Sequence, residues 1–414
     1  MNTFLIKIGK AWSVLRRDGF VRGGRRIWGA FSALFETIRE GDILLVSGGV
    51  GDSARYRTVH VAEELNLHGF RAAYTVQDNP KLLSTAKRFK VVVLHRTLFT
   101  EKMKRYLQCL KKNNVTVLFE TDDLVYDPVY LKHMDYYTKM NALEKKLYEN
   151  GVGGEILADP YVTHATTTTT FLKRKLEERG KKVFLVKNKM SQEDVRWAHE
   201  LREKREKEVR GKGHPNDSPA LTTNDELDSA GHDGTIRISY LSGTPSHNKD
   251  FATITGALCR ILAEFPQTRL VLAGPLDTED QLNQFQSQII RVPFAPRKEY
   301  FATVASMDIN VAPLELGNPF CEAKSELKFF EAGLLGVPTV AVANETYKGA
   351  ITDGVDGFVA ASPDEWYEKL KMLITDPELR QRVRDNALTG ALTYHTTEHG
   401  SSPEFYEFLR ERTK

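Results

Sequence analysis

Cysteine, long apolar runs and net charge are all scarce in this sequence. Its three cysteines, Cys109, Cys259 and Cys321, lie far apart and form no CxxC pair, which argues against a disulfide framework or a structural zinc site. No apolar run approaches the roughly twenty residues that cross a bilayer, and no apolar signal core is present near Met1. The formal net charge is +3 over 414 residues, too small to indicate nucleic acid as a partner. We therefore expect a globular, cytoplasmic protein.

The first forty residues carry most of the positive excess. Phe, Leu, Ile and Trp are interleaved there with basic side chains at roughly helical intervals, namely Lys7, Lys10, Arg16, Arg17, Arg22, Arg25 and Arg26. This pattern suits an interfacial helix on the anionic inner face of a membrane. The alternative is a pair of helices packed on their own domain, because Gly23 and Gly24 would interrupt one long helix.

From Asp42 onward, short apolar strands alternate with helical segments. The strand-like stretches are "ILLVSG", "AAYTV", "VVVLH", "VTVLFE" and "KVFLVKN" in the first half, and "IRISYLSG", "TRLVLAGPL", "IIRVPF", "DINVAPL" and "PTVAVA" in the second. Such alternation is typical of a parallel, doubly wound sheet. The fold class predicted is α/β, with two Rossmann-like doubly wound domains.

Between Met190 and Gly234 the apolar pattern disappears, and we place the domain boundary there. The predicted organisation is a basic amphipathic helical segment at 1–40, a first Rossmann-like domain at 41–189, and a charged helix with a flexible linker at 190–234. A second Rossmann-like domain follows at 235–395, and a C-terminal helix at 396–414 crosses back to the first domain.

Two such domains facing each other bind ligands in the cleft at the carboxyl ends of their strands. In "SYLSGTPSHNKDF", Gly243 comes directly after a strand, where the backbone can approach a ligand, and Lys249 follows in the loop. A surface lysine would give the same pattern, so this signal is weak when taken alone.

The stretch "KSELKFFEAGLLGVPTVA", residues 324–341, predicts a helix with two faces. Its charged residues are spaced by four and three and share one face: Lys324, Lys328 and Glu331. Another face is apolar and would pack inward: Leu327, Phe330 and Leu334. The charged face would then be free for a ligand.

Lysines at the start of this helix point to an anion. Ser325 is the predicted N-cap, which places Lys328 in the first turn, where a positive charge opposes the helix dipole. A diphosphate at this N-terminus would compensate the charge, and the carboxylate of Glu331 would then accept two ribose hydroxyls. The alternative is an exposed helix with a Lys328–Glu331 ion pair.

The same stretch resembles the donor-site segment of group 1, or family 4, retaining glycosyltransferases, in which a glutamate ahead of Gly-x-Pro grips the nucleotide ribose. "IRISYLSGTPSHNKDF" resembles the first strand and phosphate loop of that family's second domain, and "ASMDINVAPL" the strand before its donor helix. "SARYRTVHVAEELNLHG" resembles the region that opens its acceptor domain, and "VFLVKN" with Asn188 the end of that domain. The resemblance implies the GT-B fold, with acceptor domain 41–189 and sugar-nucleotide domain 235–395 facing across a cleft.

The sequence departs from the family pattern in two places. Ala323 stands where the first of two donor-site glutamates is expected, with Glu322 beside it. Thr244 stands where an arginine usually follows the phosphate-loop glycine. The diphosphate would therefore be neutralised by Lys249 together with Lys324 or Lys328.

In the first domain, Asp122 and Asp123 of "VLFETDDL" stand at a strand end where the family often has a His-Asp pair facing the donor sugar. Hydrogen bonding to sugar or acceptor hydroxyls, a divalent metal and a turn-capping role are the alternatives for this pair. The leading interpretation has no metal.

Further cleft candidates follow other strands. His95 and Arg96 come after "VVVL" and could reach the cleft. A purely structural role for His95 is the alternative. Arg55 and Arg57 near the glycine turn would meet an anionic acceptor or the donor phosphate, unless they are simply solvated. Glu322 is the remaining cleft candidate.

The leading hypothesis is a metal-independent, cofactor-free retaining glycosyltransferase acting in cell-surface glycan or polysaccharide synthesis. Its predicted catalytic residues are Asp122, Asp123, Lys249 and Lys328. Its predicted donor-binding residues are Gly243, Lys249, Lys324, Ser325, Lys328 and Glu331. The partners are a sugar nucleotide, a glycan or lipid-linked acceptor and an anionic membrane surface. The alternatives are a nucleotide-sugar epimerase or sugar phosphorylase of the same fold, or a non-catalytic scaffold that binds nucleotide or glycan.

Overall fold

The computed structural model describes residues 23, 24, 27–29, 31–135, 137, 140–149, 151–210, 235–243 and 247–414. The chain forms two compact units. The first comprises residues up to Ser191 together with 323–325 and 400–414, and the second comprises 192–322 and 326–399. Most of the predicted basic helical segment, the linker at 211–234 and Thr244 lie outside the described residues.

The first unit is built on a parallel sheet of six strands. They are β1 Ile43–Ser47, β2 Ala72–Val76, β3 Val91–His95, β4 Thr116–Thr121, β5 His164–Thr167 and β6 Lys182–Leu185. Their order is β2-β1-β3-β4-β5-β6, and every pairing is parallel. Strands β1 and β3 are buried along their whole length, because central strands of a parallel sheet are covered on both faces. This explains their nearly continuous apolar sequences.

Helices connect these strands. They are α1 Asp52–Ala54, α2 Val61–Leu67, α3 Glu101–Lys112, α4 Ala142–Tyr148, α5 Gly154–Ala158 and α6 Thr170–Glu177. A π-helical turn, Arg55–His60, joins α1 to α2, and shorter 3-10 turns occupy Leu82–Lys87, Leu124–Tyr126 and Pro128–His133. Helix α6 is capped at its N-terminus by Thr169, whose hydroxyl accepts a hydrogen bond from Leu172 N.

The second unit repeats the architecture. Its strands are β7 Ile236–Leu241, β8 Thr268–Ala273, β9 Ile289–Val292, β10 Ile309–Ala312, β11 Thr339–Val342 and β12 Phe358–Ala360. Their order is β12-β11-β10-β7-β8-β9, and all pairings are parallel. The predicted fold class, α/β with two Rossmann-like parallel sheets, is confirmed.

The helices of the second unit cover this sheet. They are α7 Gln192–Arg210, α8 Asn248–Ala252, α9 Thr255–Glu264, α10 Arg297–Ala305, α11 Pro319–Glu322, α12 Leu327–Leu334, α13 Glu345–Ala350, α14 Pro363–Thr375 and α15 Pro377–Tyr394, with a 3-10 segment at Asp280–Gln288. Helix α12 packs closely on α15: a Cβ added at Gly333 would lie 2.9 Å from the carbonyl oxygen of Ala387. That glycine allows the two helices to approach.

Helix α7 covers the first part of the charged stretch 190–234 and is attached to the second unit. Its Arg205 is buried and donates hydrogen bonds of 2.8 Å to the carbonyls of Ala305 and Met307. The same guanidinium pairs with Asp308 at 2.9 Å. The mixed charges therefore include contacts that attach α7 to the second unit.

The C-terminal helix α16, Pro403–Thr413, belongs to the first unit although it follows the second in the chain. Its buried apolar side chains join the core around β6: Phe405, Tyr406, Phe408 and Leu409. Tyr406 also donates a hydrogen bond to the buried carboxylate of Glu64, which Lys189 Nζ approaches at 2.7 Å. Burial lowers the pKa of Lys189, and the charge of Glu64 opposes that effect.

Within the part of the chain that the structure describes, no helix has the length and apolar character to cross a membrane.

Candidate active site

Each sheet has one point at which its strand order reverses. In the first unit the reversal falls between β1 and β3, and in the second between β7 and β10. Doubly wound sheets bind ligands at the carboxyl ends of the strands beside such a point. The polar side chains at these strand ends are therefore the candidate functional residues of each unit.

In the first unit, a hydroxyl, an imidazole and a carboxylate converge at this position. Ser53 Oγ donates a 2.7 Å hydrogen bond to Asp122 Oδ2 and lies 3.0 Å from His95 Nε2. Because the single hydroxyl proton is directed at Asp122, the imidazole must donate from Nε2 to Ser53. The other ring nitrogen, Nδ1, lies 3.8 Å from Glu120 Oε1. His95 is only 2% exposed, so its ring contacts Ser53 rather than solvent.

Arg96 completes this cluster from an unusual backbone conformation. Its φ of 46° lies in the left-handed region, which costs about 1 kcal/mol for a residue with a Cβ. Its Nη1 lies 3.2 Å from Asp122 Oδ1. A Cβ at Gly48 would lie 1.9 Å from the Arg96 carbonyl oxygen, so only glycine permits the loops after β1 and β3 to pack this closely. Backbone strain of this kind is concentrated at functional sites in proteins, so Arg96 is a candidate functional residue.

The carboxyl group of Asp122 is held ionised. Burial by itself would raise its pKa, but the charges of Arg96 and His95 and the hydrogen bond from Ser53 hold that pKa well below its usual range. An acid this strong is a poor general base and a good hydrogen-bond acceptor.

Asp123 has a different environment. Its Oδ1 accepts a 2.7 Å hydrogen bond from Leu124 N and caps the following turn, while Lys324 Nζ lies 3.1 Å from its Oδ2. Oδ1 of Asp123 thus has the turn-capping role that was one of the alternatives, and Oδ2 forms an ion pair with Lys324.

Arg57 lies in the core, which corrects the expectation that it meets a ligand. It is 0% exposed and binds Glu120 through two hydrogen bonds, Nε to Oε1 at 3.0 Å and Nη2 to Oε2 at 2.8 Å. Its Nη1 donates to the Val186 carbonyl at 2.7 Å and to Asn188 Oδ1 at 3.0 Å. Arg55, two residues before Arg57, is partly exposed, and its Nε lies 3.8 Å from Asp52 Oδ1.

Residues 323–325 belong to the first unit, which changes the interpretation of the charged stretch at 324–341. Helix α12 starts at Leu327 with Glu326 as N-cap and without a side-chain capping bond. The predicted N-cap, Ser325, instead accepts a 2.9 Å hydrogen bond from Asn188 Nδ2. Lys324 therefore precedes the helix, and the prediction that it shares a helical face with Lys328 and Glu331 is wrong.

In the second unit, Lys328 lies at the carboxyl end of β7. Its ammonium donates a hydrogen bond to the carbonyl of Leu241, the last residue of that strand, and lies 5.2 Å from the centroid of the Tyr240 ring. Burial lowers the pKa of Lys328, and the charges of Glu331 and Asp250 work in the opposite direction. A desolvated ammonium in the first turn of a helix is a favourable partner for an anion.

Glu331 lies one turn further along α12 and is 4% exposed. Its Oε2 accepts a 2.9 Å hydrogen bond from the hydroxyl of Tyr300, and its Oε1 a 3.2 Å bond from Arg297 Nη1. Arg297 is itself fixed by Asp194 through contacts of 2.7 and 2.9 Å. The helix face that was expected to be free for a ligand is thus partly occupied by Arg297 and Tyr300.

The loop after β10 is tied to helix α8 through Asp250. This buried carboxylate accepts hydrogen bonds from Glu315 N at 3.1 Å, His247 Nδ1 at 2.9 Å and the thiol of Cys321 at 3.2 Å. Burial and the adjacent carboxylate raise the pKa of the Cys321 thiol, so the sulfur remains a hydrogen-bond donor. The contacts fix the helix that carries Lys249.

The other predicted residues of the second unit lie near these strand ends. Lys249 is an exposed residue of α8, and Gly243 is exposed with open space where a Cβ would be. Glu322 ends α11 and accepts a 3.1 Å hydrogen bond from Gly317 N.

Sequence reasoning missed three residues of these clusters: Ser53, Arg297 and Tyr300. Ser53 follows the glycine turn after β1, which was a usable signal. Arg297 and Tyr300 are three positions apart in "APRKEYF" directly after β9, and that spacing places them on one helical face.

Several solved structures resemble the whole chain. HepE from Anabaena, whose crystal structure holds UDP and glucose, superposes with a TM-score of 0.57 at 12% identity, covering 90% of this chain and 100% of that one. Sucrose-phosphate synthase from Thermosynechococcus elongatus gives 0.56 at 12% identity, covering 90% and 99%. A glycosyltransferase from Rickettsia africae gives 0.57 at 13% identity, covering 91% and 99%.

The fold is the GT-B fold. A family model described as glycosyl transferase-like matches residues 255–401, a segment of the GT-B chain that contains Arg297, Lys328 and Glu331. No curated protein sequence matches the chain.

Proposed function

We propose that the protein is a glycosyltransferase that takes a sugar from a nucleotide-sugar donor and transfers it to an acceptor hydroxyl with retention. The observation that carries the proposal is the position of Lys328 at the strand-order reversal of the second sheet, inside the segment that matches the glycosyl transferase-like family. The donor is assigned to the second unit and the acceptor to the first.

The donor diphosphate is proposed to bind at the start of α12. The first turn of this helix offers backbone N–H groups and the ammonium of Lys328 together. Negative charge develops on the leaving diphosphate as the glycosidic bond breaks, so a fixed cation here stabilises the transition state more than the ground state. Lys249, in the helix that follows β7, is proposed to add a second cation.

The ribose is proposed to bind Glu331. Arg297 and Tyr300 fix its carboxylate in one orientation, and carboxylate oxygens are acceptors that suit the two ribose hydroxyls. We take UDP as the first nucleotide to test, because the crystal structure of HepE holds UDP and glucose.

In the first unit, Ser53, Arg96 and Asp122 are proposed to bind hydroxyl groups of the acceptor or of the transferred sugar. The low pKa of Asp122 assigns it a positioning role, so the acceptor proton is proposed to leave with the donor phosphate. A glycan or lipid-linked acceptor used in cell-surface polysaccharide synthesis is part of the proposal.

Calorimetric titration of the full chain with UDP and UDP-glucose tests the donor site. We expect Lys328→Met to weaken UDP binding about 30-fold, equivalent to the loss of a charge-assisted interaction of about 2 kcal/mol. Lys371→Met, which removes a half-exposed lysine from α14 of the same unit, is the matched control and should bind UDP normally. UDP binding that survives Lys328→Met would remove the assignment, as would the absence of binding to any sugar nucleotide.

The anomeric configuration of the product, read by NMR, tests retention separately. If the product is an epimerised sugar nucleotide, the protein is an epimerase and not a transferase. If the product is a sugar 1-phosphate, it is a phosphorylase.

A further inference from the structure

Three aromatic side chains near the start of the described chain are exposed together. Residues 27–29 and 31–35 are helical, and Trp28, Phe31 and Phe35 are 71%, 51% and 59% exposed. The ring centroids of Trp28 and Phe31 are 6.1 Å apart, and those of Phe31 and Phe35 are 5.2 Å apart. Spacings of three and four place these rings on one side of the helix, which we call the aromatic face.

The aromatic face is attached to the first unit by the residues that follow it. The carbonyl oxygen of Glu36 accepts a 2.9 Å hydrogen bond from Asn79 Nδ2. Ile38 is buried, and its carbonyl oxygen accepts a 3.2 Å bond from Arg88 Nη2. The helix is therefore anchored where it enters the first unit, while its aromatic side remains exposed.

The sequence around the aromatic face is strongly basic. Residues 1–35 contain seven Lys and Arg residues and one acidic residue, Asp18, which gives a net charge of +6. Since the whole chain carries +3, the remaining residues sum to −3. The positive charge is therefore a property of this segment and not of the protein surface in general.

We propose that the aromatic face docks on a bilayer that contains anionic phospholipid. Trp and Phe rings suit the headgroup level of a bilayer, and basic residues beside them attract its negative surface. A second copy of the chain is a poorer occupant, because a two-fold interface would bring two segments of charge +6 together. The aromatic face contains none of the residues proposed for donor binding, so its test does not depend on the proposed transferase activity.

Co-sedimentation of the full chain with vesicles tests the proposal. We expect binding to vesicles of mixed phosphatidylglycerol and phosphatidylcholine and little binding to pure phosphatidylcholine. The triple variant Trp28→Ser, Phe31→Ser, Phe35→Ser should lose about tenfold or more in lipid affinity. The control triple variant Val129→Ser, Val355→Ser, Tyr394→Ser removes side chains that are likewise exposed and should bind as the wild type does.

A charge variant separates the two contributions. Arg22→Gln, Arg25→Gln, Arg26→Gln should lower the affinity for anionic vesicles about tenfold or more and should leave any weak binding to neutral vesicles unchanged. Equal binding by the aromatic triple variant and the wild type would overturn the proposal. A wild-type dimer in solution that the aromatic triple variant abolishes, without lipid binding, would assign the face to a second copy instead.

Discussion

The ion pair between Arg57 and Glu120 gives the sharpest quantitative prediction. Both side chains are buried, at 0% and 2% exposure, and two hydrogen bonds join them. Removing one partner of such a pair leaves a buried charge without its counter-charge and typically costs about 3–5 kcal/mol. Glu120→Gln keeps the shape and one acceptor oxygen but removes the charge. We expect it to destabilise the first unit by about 3 kcal/mol.

A double-mutant cycle separates the pair from its surroundings. Arg57→Met should cost a similar amount, because it removes the charge partner of Glu120 and the bonds to Val186 and Asn188. When Arg57→Met and Glu120→Gln are combined, no uncompensated charge remains. We therefore expect the double variant to lose at least about 2 kcal/mol less than the sum of the single losses.

Hydrogen exchange read by mass spectrometry is the appropriate assay, because a protein of two units need not unfold in one step. Peptides that cover β4 should lose protection in Glu120→Gln, whereas peptides that cover β8 in the second unit serve as the internal control. If β4 keeps its protection in Glu120→Gln, or if the stability losses of the two single variants add in the double variant, Arg57 and Glu120 do not compensate each other's charge.

The same pair predicts a pH dependence. Burial would raise the pKa of Glu120, but the charge of Arg57, the nearby imidazole of His95 and the hydrogen bonds from Arg57 hold it below its usual value. A carboxyl group whose pKa is lower in the folded state stabilises the fold above its unfolded pKa of about 4.3 and loses that contribution as the pH falls through the folded pKa. The stability difference between the wild type and Glu120→Gln should therefore shrink below about pH 4.

Other perturbations follow from single contacts. Gly48→Ala places a Cβ 1.9 Å from the Arg96 carbonyl oxygen and should cost about 3 kcal/mol or more in chemical denaturation; an unaltered midpoint would contradict the close approach. Arg96→Gly should be about 1 kcal/mol more stable than Arg96→Ala, because only glycine adopts a φ of 46° without strain, and equal melting temperatures would exclude strain there. Tyr300→Phe removes one hydrogen bond to Glu331 and should weaken UDP binding about fivefold in calorimetry, with undiminished affinity counting against the ribose assignment. Lys328→Met should raise the thermal midpoint of the ligand-free protein, because it removes a charge that burial disfavours; a lower midpoint would contradict that.

The sequence was sufficient for the architecture and for placing Lys328 and Glu331 on one helix. Alternating strands and helices predicted two parallel sheets, because fully buried parallel strands must be continuously apolar. Lys328 and Glu331 could be expected to be neighbours because both lie on one short helix, where spacing determines which side chains are adjacent.

Contacts between distant segments could not be predicted in the same way. The buried position of Arg57 depends on Glu120, which is 63 residues away, and the Ser53 cluster depends on the ends of three strands. Nothing local distinguishes a buried arginine from a solvated one. The start of α12 at Leu327 was missed because Ser325 is a good capping residue that has a different hydrogen-bond partner, Asn188.

The position of α16 in the first unit has a consequence for how the chain acquires its structure during synthesis. The first unit is assembled from segments on both sides of the second, and Phe405 and Phe408 complete an apolar core that β1 to β6 begin. A ribosome makes residues 192–399 before it makes α16. The second unit can therefore fold while the first still exposes the apolar surface around Phe184, so the half of the protein that is translated first is the half that matures last.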